Sequence, residues 1–241
     1  MFSLRKHRGV RNCEWEQIAE LPEAEKDIIV FARPFTMTGV ERMASLINAV
    51  NHVCKWKIPG DFVECGVWRG GSMMVMAKSL MMHGDTSRDL FLYDTYEGMT
   101  EPTEEDKTAQ GVLAKDILDR SLKGSGIWCE ASLEDVRQNV YSTGYPKEKI
   151  HFIKGPVEQT IPATLPKRTA ILRLDTDWYE STKHELIHLF PLLDKRGILI
   201  IDDYGAWKGA RKAVDEYFEG KELFLHRIDT TGRMAIGIGP M

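Results

Sequence analysis

Two runs, Ala170-Ile171-Leu172-Arg173-Leu174 and Gly197-Ile198-Leu199-Ile200-Ile201, carry apolar side chains on both faces of an extended chain, and each leads straight into acid. The first is followed by Asp175 and Asp177, the second by Asp202 and Asp203. A strand that is apolar on both faces must be covered on both, as happens in a parallel sheet sandwiched between helices. Shorter β-rich runs stand at 61–65, 90–94, 150–154, 223–227 and 234–238, most of them separated by helix-like stretches. Right-handed βαβ crossovers wind such a sheet. Only a few residues around Asp229-Thr230-Thr231-Gly232 join the last two runs, which fits an antiparallel hairpin. The expected architecture is α/β: a doubly wound, mostly parallel sheet with strands at 170–175 and 197–202 and an antiparallel C-terminal strand.

The turn Ile58-Pro59-Gly60 separates this alternating part from a helical one. Met43, Leu46, Ile47, Val50 and Val53 recur at helical spacing over 40–56, and an earlier helix is expected at 14–19 or 23–31. Residues 1–57 therefore read as an N-terminal helical cap or lid, and 58–241 as a cofactor-binding domain. With 32 basic and 36 acidic residues the net charge is −4, so no basic footprint points to nucleic acid. Cys13, Cys54, Cys65 and Cys129 show no CxxC spacing, which argues against a zinc knuckle or disulfide framework and for a reducing cytoplasm. The basic start lacks an apolar segment behind it, and no run approaches the ~20 apolar residues of a membrane span. The expected partner is a small molecule, with no membrane; a homo-oligomer is compatible with the sequence.

The first strand runs into Glu64-Cys65-Gly66-Val67-Trp68-Arg69-Gly70-Gly71-Ser72 and then a methionine-rich helix. Glycines at 66 and 70 permit a tight turn and close approach of a ligand to the helix N-terminus at Ser72. A dinucleotide fingerprint would read GxGxxG; acid-x-Gly-x-x-x-Gly, with Glu64 at the strand end, suits a cationic sulfonium or ammonium better than a pyrophosphate. Asp94 ends the second strand, where an acid accepts hydrogen bonds from ribose hydroxyls. These features favour S-adenosyl-L-methionine over a nicotinamide, and the following methionines are read as core filler.

Parallel neighbours bring their carboxyl ends to one edge, so Asp175, Asp177, Asp202 and Asp203 converge beside the donor loop. Such charges need a cation or a shared proton. An all-oxygen set suits a hard ion, Mg²⁺ with Mn²⁺ as a substitute, rather than zinc, and Asp175, Asp202 and Asp203 are the expected ligands. If the strand pleat persists, Asp177 faces the same cavity as Asp175 and is the candidate general base. The bland alternative has these acids capping helices or pairing with Arg173 and Lys208.

Three other features are weighed against structural readings. His184-Glu185-Leu186-Ile187-His188 is a literal HExxH, but Leu186, Leu189, Phe190 and Leu193 define the apolar face of that helix and turn both histidines to solvent; Thr182 is placed to form a capping box with Glu185. Trp207, Ala210, Val214, Tyr217 and Phe218 form a core stripe in which Trp207 is also placed to wall an acceptor pocket. The acidic stretch 97–110 reads as a solvated loop, with a lid as the alternative.

The segments Phe35-Thr36-Met37-Thr38 with Glu41-Arg42, the run from Ile58 to Ser72, Tyr93-Asp94-Thr95-Tyr96-Glu97-Gly98, Ser132-Leu133-Glu134-Asp135-Val136, Leu174 to Thr182 and Asp202-Asp203-Tyr204-Gly205-Ala206-Trp207 resemble the macrocin O-methyltransferase-like sugar O-methyltransferases of antibiotic and glycan tailoring. The matching segments begin at about residue 33. The resemblance implies a class I methyltransferase (Rossmann-like) fold, S-adenosylmethionine, Mg²⁺ on Asp175, Asp202 and Asp203, and Asp177 as base. It also implies that Thr36, Met37 and Ser132 lie near the cofactor and that the acceptor is a sugar, free, nucleotide-linked or glycosidic. Metal chemistry favours a vicinal diol as acceptor. A catechol or other phenol is the rival acceptor, and a non-catalytic cofactor- or glycan-binding module the rival class.

Overall fold

The computed structural model describes residues 12–121 and 126–236. Helices α1 (Asn12–Glu16), α2 (Glu23–Ala32) and α3 (Val40–Lys55) precede the sheet; of the two alternative places for the earlier helix, 23–31 is filled by α2, while at 14–19 only the start is helical, as the end of α1. Then follow β1 (Asp61–Cys65), α4 (Gly71–Met82), β2 (Leu90–Asp94), α5 (Ala114–Arg120), α6 (Leu133–Tyr141), β3 (Ile150–Lys154) and α7 (Val157–Thr160). The chain continues through β4 (Thr169–Leu174), α8 (Tyr179–Leu189), β5 (Leu193–Ile201), α9 (Lys208–Tyr217), β6 (His226–Arg227) and β7 (Arg233–Ile236). No described helix is long and apolar enough to cross a membrane.

Among the described residues seven strands lie in the order β3-β2-β1-β4-β5-β7-β6, all parallel except β7, which runs antiparallel between β5 and β6. This is the doubly wound class I arrangement expected. The chain moves outward from β1 to β3 and returns at β4 on the other side of β1, so a crevice opens at the carboxyl ends of β1 and β4.

Alternation along the strands explains how the sheet is covered. Phe62, Ile171, Ile198 and Ile200 enter one core with Ile29, Met43, Ile47, Met73, Met74 and Met76 from α2, α3 and α4. Their neighbours Val63, Leu172, Leu199 and Ile201 enter a second core with Leu186 and Leu189 of α8 and Val214 of α9. Met73, Met74 and Met76 of α4 are fully buried packing groups, while Met82 at its end is exposed. Among the described residues, α2 and α3 share one core with α4 and the strands.

Several boundaries differ from the sequence reading. β4 stops at Leu174 rather than 175, and β5 begins earlier, at Leu193. The run at 223–227 yields only the two-residue β6, with Phe224 exposed, and the end of the run at 234–238 lies outside the described residues. The 97–110 stretch is not a free solvated loop: backbone bridges pair Lys107 with Leu113 and Thr108 with Trp207.

Candidate active site

Sheet register assembles the site. The Cys65 carbonyl accepts the Asp175 amide at 2.9 Å, and the Leu174 carbonyl accepts the Asp202 amide at 3.0 Å, so the acids leave β4 and β5 at the same level as the donor loop leaves β1. Gly66 makes this possible. Its φ is +77°, and a Cβ there would lie 2.0 Å from the Asp175 carbonyl oxygen.

Above this edge lies a cavity of about 510 Å³. Of the donor-side residues expected from sequence, Thr36, Met37, Gly66, Ser72 and Asp94 line it. Asp94 also organises the loop: Oδ2 accepts the amides of Val67 (2.6 Å) and Trp68 (3.1 Å), while Oδ1 accepts that of Tyr96 (2.7 Å). Burial nonetheless pushes its carboxyl up, against these hydrogen bonds.

Glu64, Gly70 and Ser132 do not line the cavity. Gly70 faces α6, where a Cβ would meet Val140 Cγ2 at 2.8 Å. Ser132 caps α6 by accepting the Asp135 amide at 3.2 Å; it acts on the donor loop one step removed, because Asp135 holds Arg69 at 2.8 and 3.0 Å. Glu64 is buried beneath the loop and accepts Nη1 of Arg173 at 2.7 Å, with its Oε2 left without a partner. Burial raises its carboxyl to about 7 despite the guanidinium.

Arg173 is the hub that sequence reasoning treated only as a rival partner. It is 2% exposed, yet Nη1 also donates to Asp175 Oδ2 (2.7 Å) and Nη2 to Asp202 Oδ1 (2.6 Å). Burial disfavours its charge, but Asp175, Asp202 and Glu64 outweigh that and hold it protonated. Arg42 of α3 pairs with the other Asp202 oxygen and, at 2.8 Å, with Asp229 from the β6–β7 turn. The signal for Arg173 was present: a lone cation inside an apolar strand is a buried polar group that needs partners. Lys208, the other suggested partner, is exposed.

Asp175, Asp177, Asp202 and Asp203 all line the cavity. One carboxylate oxygen each from Asp175, Asp202 and Asp203 lies within 4.8 Å of the others, and no other such ligand group occurs among the described residues. Even with two arginines nearby the cluster holds excess negative charge, and Asp203 Oδ2 is buried without a hydrogen-bond partner. Burial, together with neighbouring carboxylates, raises Asp175 and Asp203 well above the carboxylate range and Asp177 to about 7. The donor set is all oxygen, and each Asp202 oxygen keeps a lone pair beyond its arginine contact, so these residues fit a hard divalent cation.

Asp177 reaches the cavity by a different route from the one expected. The pleat does not persist past Leu174; Asp177 stands at φ +68°, a left-handed conformation uncommon for a non-glycine residue and typical of functional turns. Cys129 sits across from it, its thiol pushed up to about 12 by burial and then by Asp177. Part of the cavity lining is apolar, with Met99, Ala114, Ile117, Leu118 and Trp178 on its wall. Trp207 belongs there too, packed edge-on against Trp178 at 5.0 Å, so it walls the pocket as well as leading α9.

The HExxH helix is arranged differently from its sequence reading. α8 begins at Tyr179 with Trp178 at the N-cap and no side-chain cap, so Thr182 lies inside the helix and forms no capping box. Glu185 points inward, fully buried, and accepts Thr176 Oγ1 at 2.9 Å. The histidines are half-buried rather than solvated, and His184 Nε2 contacts the Ile161 carbonyl at 2.9 Å.

Comparison with known proteins agrees with this geometry. Residues 10–234 match the family model described as macrocin O-methyltransferase (TylF), a match that starts well before residue 33. A Streptomyces olivaceus protein, 8-demethyl-8-(2,3-dimethoxy-alpha-L-rhamnosyl)-tetracenomycin-C 4'-O-methyltransferase, is 38% identical over 76% of this chain and 67% of its own length. Demethyldecarbamoylnovobiocin O-methyltransferase from Streptomyces niveus is 32% identical over 77% of this chain and 68% of its own. Among solved structures, the O-methyltransferase NovP is 31% identical and superposes with a TM-score of 0.74, covering 85% of this chain and 82% of that one. The sheet order, the donor loop and these matches together place the chain in the macrocin O-methyltransferase family, as an S-adenosylmethionine-dependent O-methyltransferase.

Proposed function

We propose that this enzyme methylates a hydroxyl of a sugar carried on a natural product, beside a second hydroxyl, with Asp177 as proton acceptor and a divalent cation on Asp175, Asp202 and Asp203. The observation that carries the reading is the convergence of those three carboxylates at the floor of the donor cavity, with one buried oxygen of Asp203 unpartnered. The relatives named for rhamnosyl-tetracenomycin and novobiocin precursors support a glycoside acceptor.

Thr36, Met37, Gly66, Ser72 and Asp94 would hold the donor, with the Gly66 turn giving it close access to the backbone. Bound Mg²⁺ would supply Lewis-acid activation of the acceptor hydroxyl and fix its position. Arg173 and Arg42 each hold one oxygen of Asp202 and so fix the orientation of its carboxylate at the cavity. In the transfer the acceptor oxygen forms a bond to the methyl carbon as the carbon–sulfur bond breaks, and its proton passes to Asp177. The products are a methyl ether, S-adenosylhomocysteine and a protonated Asp177. Alignment of acceptor and donor in one cavity supplies much of the rate gain.

The test uses radiolabelled donor with a rhamnosyl glycoside bearing adjacent free hydroxyls. Asp175→Ala, or the wild type in EDTA, should lose turnover while S-adenosylhomocysteine still binds by calorimetry. Full activity in either would refute the metal-assisted reading.

A further inference from the structure

The connection between β2 and α5 is rich in acids, and most of them are exposed. Asp106 is not: it is completely buried. Its Oδ1 accepts the backbone amide of Tyr179, the first residue of α8, at 2.7 Å. Its Oδ2 accepts the Thr103 amide at 2.7 Å and the Thr103 hydroxyl at 2.9 Å, and its carbonyl accepts the Ala114 amide at 2.8 Å at the start of α5. The first turn of α9 crosses directly above, where a Cβ on Gly209 would lie 2.0 Å from Asp106 Oδ1. Asp106 thus ties the connection to α8 through its side chain and to α5 through its main-chain carbonyl, with α9 packed against it.

Its position relative to the reacting groups gives this junction meaning. Asp177 and Trp178 immediately precede Tyr179, and the Trp178 indole donates to the Thr100 carbonyl at 3.1 Å. The Lys107 carbonyl accepts the Lys208 amide at 2.8 Å, and the Ala206 carbonyl accepts the Ala109 amide at 3.1 Å. The residues hung from this junction, Met99, Thr100, Ala114, Ile117 and Leu118, line the cavity, and Met99, Ala114 and Leu118 pack with Trp178 and Trp207 in one apolar cluster. None of the hydrogen bonds of Asp106 goes to a donor-side residue.

We infer that Asp106 is a positioning residue: it locks the wall formed by residues 99–118 against the Asp177–Trp178 turn and so sets how the acceptor, not the donor, is aligned. The inference rests on the reading that this part of the cavity receives the acceptor. A carboxylate suits the task because it only accepts, and the junction offers three donors from two elements.

Two substitutions separate this role from general stability. Asp106→Asn keeps a carbonyl oxygen for the Tyr179 amide but presents an NH₂ group to the Thr103 amide, releasing the wall while keeping the α8 contact. Thr103→Ala removes one donor at an exposed position. For Asp106→Asn we expect acceptor KM to rise and kcat to fall, each on the order of tenfold. Affinity for S-adenosylhomocysteine should stay within about twofold, with Thr103→Ala intermediate. Hydrogen–deuterium exchange in Asp106→Asn should quicken over 99–118 and not over 33–38 or 66–72. Unchanged acceptor kinetics, or a parallel loss of donor affinity, would overturn the inference. If the wild type methylates no glycoside, the functional reading falls separately, and exchange still decides: faster exchange confined to 99–118 supports the role of Asp106, and unchanged exchange overturns it.

Discussion

Replacing Gly66 with alanine would place a methyl group 2.0 Å from the Asp175 carbonyl oxygen and 2.5 Å from its carbon. Ordinary contact needs roughly 3.4 Å or more, so the end of β4 and the donor loop must separate by over ~1 Å. The φ of +77° adds the left-handed cost of a side chain, and with overpacking the substitution should destabilise by about 2–5 kcal/mol. A domain of this kind withstands that loss, since total stabilities are about 5–15 kcal/mol. Chemistry should suffer more than folding, because Asp175 is displaced relative to the donor and a ~1 Å error in alignment costs about a hundredfold in rate. The assay is kcat for methyl transfer from labelled donor at saturating substrates, with thermal unfolding recorded on the same preparations. Gly70→Ala is the control. It also carries a left-handed φ, but its Cβ meets the Val140 side chain of α6 rather than the Asp175 backbone, so it should lose stability while kcat stays within about threefold. The reasoning is refuted if folded Gly66→Ala retains wild-type kcat, or if Gly70→Ala loses as much.

Arg173→Met strips the counter-charge from buried acids and should lower Tm by about 10 °C or more, with Arg173→Lys only partly restoring it; a Tm within two degrees of wild type, on the order of measurement scatter, would contradict the hub role. Burial raises the Glu185 carboxyl well above its ordinary 4.5, so its contribution to stability is full below that value and is lost as pH rises through the folded value. Glu185→Gln should therefore show a flatter decline in urea-unfolding free energy above pH 4.5 than the wild type, and parallel curves would remove the argument. His184→Ala with His188→Ala should leave methyl transfer within about twofold and cost about 1 kcal/mol, since the losses are one ring-nitrogen contact to the Ile161 carbonyl and the packing of the two imidazoles on each other; a large drop in transfer would revive the zinc-like motif.

The central strands were readable because runs apolar on both faces need a core on each side: Ile198, Leu199, Ile200 and Ile201 fall alternately into the two cores. The acids were readable because they follow those strands directly. Orientation beyond the strand ends was not. Asp177 reaches the cavity through a left-handed turn that no periodicity encodes, and Glu64 turns under the loop because Arg173, over a hundred positions away, draws it there. Within Glu104-Glu105-Asp106 nothing local distinguishes the buried acid from the exposed ones; α8 and α9, far along the chain, bury it. Glu185 failed in the same way, since local capping logic competed with a partner, Thr176, that only the fold supplies.

The antiparallel strand β7 has a consequence for biosynthesis. It fills the gap between β5 and β6, and β6 pairs with β7 alone, so until residues 233–236 leave the ribosome the β5 strand that leads into Asp202 has a bare edge. Asp229, which clasps Arg42 behind Asp202, also arrives at that late stage. A growing chain thus carries its donor loop early, but acquires the braced acid cluster only when its last strand slides into place.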